Sequence, residues 1–204
     1  MPFESIDGPA GRLQLLQELP AGEPRALAVI CHPHPLHGGT LNNKIVHQLA
    51  RSFSQLGAVS VRFNFRGVGD SDGSFDEGRG ELDDLFAVTA WAGRRWPGLP
   101  LWLAGFSFGG FIAIRAAAEL QPQRLVTVAP AVNYFPDANP EVPVSDWLLI
   151  QGRDDEVVPA QAVTAFVDRL DVSPDLVLVE GAGHFFHGRL NDLKQLVLDA
   201  LGAA

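Results

Sequence analysis

A serine set among glycines, Gly105-Phe106-Ser107-Phe108-Gly109-Gly110, stands between an apolar run and an Ala-rich segment. Gly-x-Ser-x-Gly at a strand–turn–helix junction is a nucleophile elbow. So tight a turn leaves no room for side chains at 105 and 109 beside the neighbouring backbone. It also strains Ser107 into lifting its hydroxyl clear of the turn, and the helix N-terminus that follows favours negative charge developing nearby. A hydroxyl nucleophile needs a base, and an imidazole base needs a carboxylate to fix its tautomer and stabilise its cation. Gly152-Arg153-Asp154-Asp155-Glu156-Val157-Val158-Pro159 offers two adjacent carboxylates, Asp154 and Asp155, which point in different directions. Gly181-Ala182-Gly183-His184-Phe185-Phe186 offers an imidazole at His184, with His187 as a weaker candidate. Serine, acid and histidine together are equipped for acyl transfer from a carbonyl carbon.

These groups act together only if the chain brings them to one place. The apolar runs Ala26–Cys31, Ala58–Phe65, Leu101–Phe106, Leu125–Ala129, Trp147–Ile150 and Leu176–Val179 are short and mostly uninterrupted, as suits strands buried on both faces. Helical spacing lies between them: Leu41, Ile45, Val46, Leu49, Phe53 and Leu56 make one apolar stripe closed by Gly57, and Leu82, Leu85, Phe86 and Trp91 begin a second. A third helix is expected from about Gly109 to Leu120, a fourth after Pro159, and a last through Leu190, Leu193, Leu196, Val197 and Leu201. Phe3–Leu19 reads as one or two antiparallel edge strands around Gly8-Pro9. Strands alternating with helices predict an α/β domain over residues 1–204, with a mostly parallel sheet covered on both faces. In such sheets reactive groups collect at the C-terminal strand ends, where Ser107, Asp155 and His184 all fall.

Composition narrows the partners. Of the 204 residues 47% are hydrophobic and 19% charged, a globular balance, and a formal charge of −9 opposes binding to nucleic acid or anionic lipid. No apolar run approaches the length of a membrane span, and the first residues carry neither a basic nor an apolar targeting region. The single cysteine, Cys31, excludes an internal disulfide and fits a reducing, cytoplasmic setting as a small core residue. No Gly-x-Gly-x-x-Gly opens a helix after the first strand, so no dinucleotide cofactor is expected.

The order serine, acid, histidine, with gaps of 48 and 29 residues, is that of α/β-hydrolases. With it come His32-Pro33-His34-Pro35-Leu36-His37-Gly38-Gly39 and Asn64-Phe65-Arg66-Gly67-Val68-Gly69, each after an early strand. Over nearly its whole length the chain resembles a small bacterial serine hydrolase of the α/β-hydrolase superfamily. The resemblance implies a sheet of about eight strands with a short antiparallel part near the N-terminus. It implies that Asp155, three residues after Gly152, is the acid in preference to Asp154. It also implies an oxyanion hole made by the Phe108 backbone N–H and a donor from the loop at His32-Pro33, which stands where the family has His-Gly. In that loop proline has no N–H, and His34 lies where the family's donor falls.

Ser107 is then the expected nucleophile, His184 the base and Asp155 the orienting acid, with a small-molecule carboxylic ester as substrate and no cofactor. Thioester hydrolysis, acyl transfer, peptide hydrolysis or a non-catalytic binding role are the alternatives. The stretch Ala131–Asp146 is too short for a helical cap, which predicts an open site roofed at most by Tyr134 and Phe135. Phe106, Phe108, Phe135, Phe185 and Phe186 suggest an apolar pocket. The spacing His32-x-His34-x-x-His37 is read as a loop shaping the site, with no metal. Arg66 is expected to be buried or capping, and Asp70–Asp84 to be a solvated acidic loop.

Overall fold

A computed structural model describes residues 3–134, 142 and 146–202. Eight strands form one sheet: β1 (Glu4–Gly8), β2 (Gly11–Glu18), β3 (Ala26–Cys31), β4 (Ala58–Phe63), β5 (Leu101–Phe106), β6 (Arg124–Val128), β7 (Trp147–Gly152) and β8 (Asp175–Val179). Their order across the sheet is β1-β2-β4-β3-β5-β6-β7-β8. The hairpin β1–β2 turns at Pro9-Ala10, β2 runs antiparallel to β4, and every other pairing is parallel. This is the α/β-hydrolase fold.

Among the described residues five α-helices cover the sheet: α1 (Lys44–Gln55), α2 (Arg79–Arg95), α3 (Phe108–Leu120), α4 (Ala160–Val167) and α5 (Leu190–Gly202). Their apolar faces define two cores. Ile45, Leu49 and Phe53 of α1 and Leu193 and Val197 of α5 pack with Ala28, Ile30, Ala104, Phe106 and Ile150 on one side. Leu85, Phe111, Ile114 and Phe166 of α2, α3 and α4 pack with Val29, Cys31, Leu103 and Leu149 on the other. Successive strand residues therefore enter opposite cores, which is why β3, β5 and the first four residues of β7 are continuously apolar.

Local chemistry sets the helix starts. Asn43 caps α1, its Oδ1 accepting the Ile45 and Val46 backbone N–H groups at 2.9 and 3.4 Å. Glu81 folds back at the start of α2 to accept the Gly78 and Asp76 N–H groups at 2.8 and 2.9 Å. Here the expectation of a solvated acidic loop is corrected. Glu81 and Asp84 are wholly buried in α2. Asp84 receives the Arg66 Nη2 at 2.7 Å, its Nε at 3.1 Å and its backbone N–H at 2.9 Å. A buried carboxylate must be paired and hydrogen-bonded, and this one is. The same contact holds Arg66, expected to be buried or capping, in a partly buried position against Asp84. No helix among the described residues is long and apolar enough to cross a membrane.

Candidate active site

Ser107 sits between β5 and α3 with φ 54° and ψ −120°, a conformation that L-residues seldom adopt. Its backbone is tied on both sides: its N–H donates to the Val128 carbonyl at 2.9 Å, and its carbonyl accepts Phe111 and Ala131 N–H groups at 3.1 Å. The flanking glycines have a steric cause. A Cβ on Gly105 would lie 2.2 Å from the Gly109 carbonyl oxygen, and one on Gly109 would lie 2.3 Å from that of His32.

The ends of β7 and β8 bring the other groups. His184 Nε2 lies 3.0 Å from Ser107 Oγ, and His184 Nδ1 lies 2.8 Å from Asp155 Oδ2. All three residues are buried. The second carboxylate oxygen of Asp155 accepts the Val157 and Val158 N–H groups at 2.9 and 2.7 Å. Burial acts to raise the Asp155 carboxyl, but the hydrogen bonds from His184, Val158 and Val157 outweigh it and hold it below the ordinary carboxylate range. An ionised Asp155 can only accept, so His184 Nδ1 donates to it and Nε2 is left facing Ser107 Oγ. Asp154 is exposed and does not reach the imidazole, and His187 is likewise exposed. Phe106 lies under the His184 ring at a centroid distance of 5.0 Å.

Phe108 opens α3, and neither its backbone N–H nor that of His34 donates a hydrogen bond within the described residues. The loop that carries His34 is braced from below. His32 is fully buried, its Nε2 accepts the Phe65 N–H at 3.1 Å, and its Nδ1 donates to the Pro33 carbonyl at 2.6 Å. Burial pushes the His32 imidazole down to about 4. His34 presents its ring to the site, stacked on His37 at 4.4 Å and touching Phe75 and Phe108 at 4.8 and 5.2 Å. Burial and the neighbouring His37 lower its basicity.

A cavity of about 370 Å³ opens over Ser107 and His184, walled by His34, Phe108, Tyr134 and Phe185 among others. Two residues expected in it lie elsewhere. Phe106 and Phe186 are fully buried in the α1–α5 core because their positions face down, away from the cavity. Phe135 lies outside the described residues. His37 lines the cavity, as expected of the loop that shapes the site, whereas sequence reasoning missed Phe75, Glu77 and Val157, which also line it. Val157 follows Asp155 by two residues and is readable from that, whereas nothing local marks Phe75 or Glu77.

The Hydrolase_4 family model, described as serine aminopeptidase, S33, matches residues 22–147, a span that includes Ser107 but neither Asp155 nor His184. An uncharacterized protein of Rickettsia prowazekii (strain Madrid E), RP471, is 32% identical over 98% of this chain and 89% of its own length. Among solved structures, an alpha-beta serine hydrolase homologue from Coxiella burnetii superposes with a TM-score of 0.93 at 45% identity, covering 97% of this chain and 96% of that one. XC6422 from Xanthomonas campestris, described as a serine hydrolase without lid, superposes with a TM-score of 0.93 at 42% identity over 99% of this chain and 94% of its own.

Proposed function

This chain belongs to the serine aminopeptidase S33 family of α/β serine hydrolases, and from that premise we propose that it cleaves small carboxylic esters through Ser107, His184 and Asp155. Ser107 Oγ attacks the ester carbonyl carbon as its proton passes to His184 Nε2. Asp155 holds the imidazole in place and stabilises its cation. The Phe108 and His34 N–H groups meet the oxyanion, and their freedom from other acceptors among the described residues supports that role. His184 then protonates the leaving alcohol, and the tetrahedral centre collapses to an acyl-Ser107. Water, losing a proton to His184, attacks the acyl carbon, and the acid leaves as Ser107 regains its proton. The scheme consumes only ester and water. A reducing, cytoplasmic setting, compatible with the lone buried Cys31, belongs to the same reading.

The observation that carries it is the unbroken chain Ser107 Oγ to His184 Nε2 to Asp155, at 3.0 and 2.8 Å, opening into a cavity. The apolar walls suit an acyl or alcohol group of modest size. Glu77, whose exposed carboxylate lies 3.5 Å from Arg79 Nη2, also lines the cavity and supports a second reading, an amine-bearing acyl group. A fluorophosphonate probe and a graded panel test both. The probe is expected to add one adduct, mapped to Ser107 and absent in Ser107→Ala. p-Nitrophenyl esters of increasing acyl length, acyl thioesters and aminoacyl anilides then rank the substrates. Anilides turned over faster than esters favour the second reading, and labelling that persists in Ser107→Ala overturns both.

A further inference from the structure

Gln151 occupies a place where the pattern of β7 calls for an apolar side chain. Trp147, Leu148, Leu149 and Ile150 precede it and fill the two cores, and Gln151 is itself wholly buried. Its Nε2 faces three acceptors: Asp155 Oδ2 at 3.0 Å, the Val158 carbonyl at 2.9 Å and the Gly152 carbonyl at 3.2 Å. Three acceptors around one end fix that end as the nitrogen. The other end, Oε1, is buried without any partner among the described residues. A buried acceptor left without a donor costs the fold stability, and a leucine here would avoid the cost.

We propose, resting on the serine hydrolase reading above, that Gln151 is a positioning residue of the reaction, clamping Asp155 through the carboxylate oxygen that faces His184. The clamp has a definite geometry. Oδ1 is held by the backbone N–H groups of Val157 and Val158, while Oδ2 is shared between His184 Nδ1 and Gln151 Nε2. The Gln151 amide also grips the Val158 carbonyl, so the turn that carries Asp155 is closed by a side chain from the strand before it. Oδ2 therefore cannot swing from His184. Its negative charge is also divided between two donors, so His184 feels less than a full carboxylate. The other charged groups beside the pair are Glu156, whose Oε2 accepts the His184 backbone N–H at 3.2 Å, and the exposed Asp154. No lysine or arginine among the described residues pairs with Asp155.

Removing the donor leaves all of the Oδ2 charge to His184, so the imidazole holds its proton to higher pH. Gln151→Met keeps the length and loses the donor. Its kcat/KM is expected to fall about 10-fold, through kcat and not KM, because Gln151 does not line the cavity. The acid limb of its pH profile should move up by about half a unit. Gln151→Glu supplies a second test. Its neutral carboxyl can donate to Oδ2 as the amide does, and its ionised form cannot, so the profile should gain a falling limb that the wild type lacks. If Gln151→Met does not fold, that falling limb decides. Wild-type limb positions in every variant that folds, with only thermal stability lowered, would make Gln151 a packing residue and overturn the proposal. Fluorophosphonate labelling of Ser107 runs alongside: a wild-type protein that takes no label overturns the hydrolase reading itself, whereas a labelled wild type with unmoved variant profiles overturns only the role of Gln151.

Discussion

Gly152 and Ala182 approach so closely that a Cβ on Gly152 would stand 2.2 Å from the Ala182 carbonyl oxygen. The contact joins the strand end that launches Asp155 to the loop that delivers His184. That same oxygen accepts the Asp154 N–H at 3.1 Å, and the Arg153 N–H donates to Val179 at 3.0 Å. Since the obstacle is backbone, Gly152→Ala must push the two loops apart. Overpacking of this kind costs about 1–3 kcal/mol, and a displacement near 1 Å lowers kcat about 100-fold. Thermal melts and ester kinetics on one preparation check both, and an unchanged kcat would show that the loops are not held in register here.

Asp155 and Asp154 are neighbours with different expected effects. Asp155→Asn should lower kcat by up to about 10⁴, since the amide no longer fixes the His184 tautomer. Asp154→Asn, at an exposed side chain, should stay within a few-fold of wild type. Because hydrogen bonds keep the Asp155 carboxyl below the ordinary range, no loss of rate near neutral pH should trace to its protonation. The reverse ranking of the two variants would reassign the acid.

Where the sequence was legible, covering layers or close approaches had left a mark on residue type. The two-sided cores make β3, β5 and Trp147–Ile150 of β7 uninterrupted apolar runs, and the clash at Gly105 and Gly109 makes the glycines around Ser107 visible. The choice between Asp154 and Asp155 rested on resemblance, because adjacent residues differ only in direction. Phe75 and Glu77 left no local signal. Their loop after β4 is held by partners far along the chain, with Ser71 Oγ accepting the Gln14 N–H at 2.9 Å and Asp72 Oδ2 accepting the Arg12 N–H at 2.8 Å. Long-range pairing of this kind has no period to read. Glu81 and Asp84 misled for a related reason: acidic composition suggests solvent, and only the fold supplies Arg66 to Asp84 and the backbone N–H groups to Glu81.

The strain at Ser107 is testable apart from its chemistry. A non-glycine residue at φ 54° and ψ −120° costs the fold about 1–3 kcal/mol. Ser107→Gly relieves that strain, whereas Ser107→Ala keeps it. Both variants should be inactive, yet the glycine variant should melt higher than the alanine variant, by an amount equivalent to about 1 kcal/mol after the added chain entropy of glycine. Equal melting temperatures would show an unstrained elbow.

His32 gives a pH dependence of stability. Its folded value is about 4 against an ordinary 6.5, with burial the main cause. Between those two values the unfolded chain binds a proton that the folded protein does not, so acid favours unfolding there. The contribution is complete above pH 6.5 and is lost as pH falls toward 4, amounting to about 3 kcal/mol at most. Urea unfolding midpoints measured from pH 7 down to 4.5 should fall, and His32→Gln should flatten that part of the slope. An identical slope in the variant would show that other groups carry it.

The proposed second oxyanion donor allows an asymmetric test, because His34 has φ −52°, within the range that proline fixes. His34→Pro therefore removes the N–H at a φ that proline itself prefers. It also preserves the His34 carbonyl, which accepts the His37 and Gly39 N–H groups at 3.1 Å and shapes the loop. His34→Ala keeps the N–H and removes the ring, which stacks on His37 and touches Phe75 and Phe108 in the cavity wall. The alanine variant should raise KM by a few-fold and keep most of its kcat. The proline variant should lose about 10²–10³ in kcat, the cost of one donor aimed at a tetrahedral oxyanion. Circular dichroism and melting establish that both are folded. If alanine lowers kcat as far as proline does, the His34 imidazole and not its backbone N–H acts on the reacting oxygen.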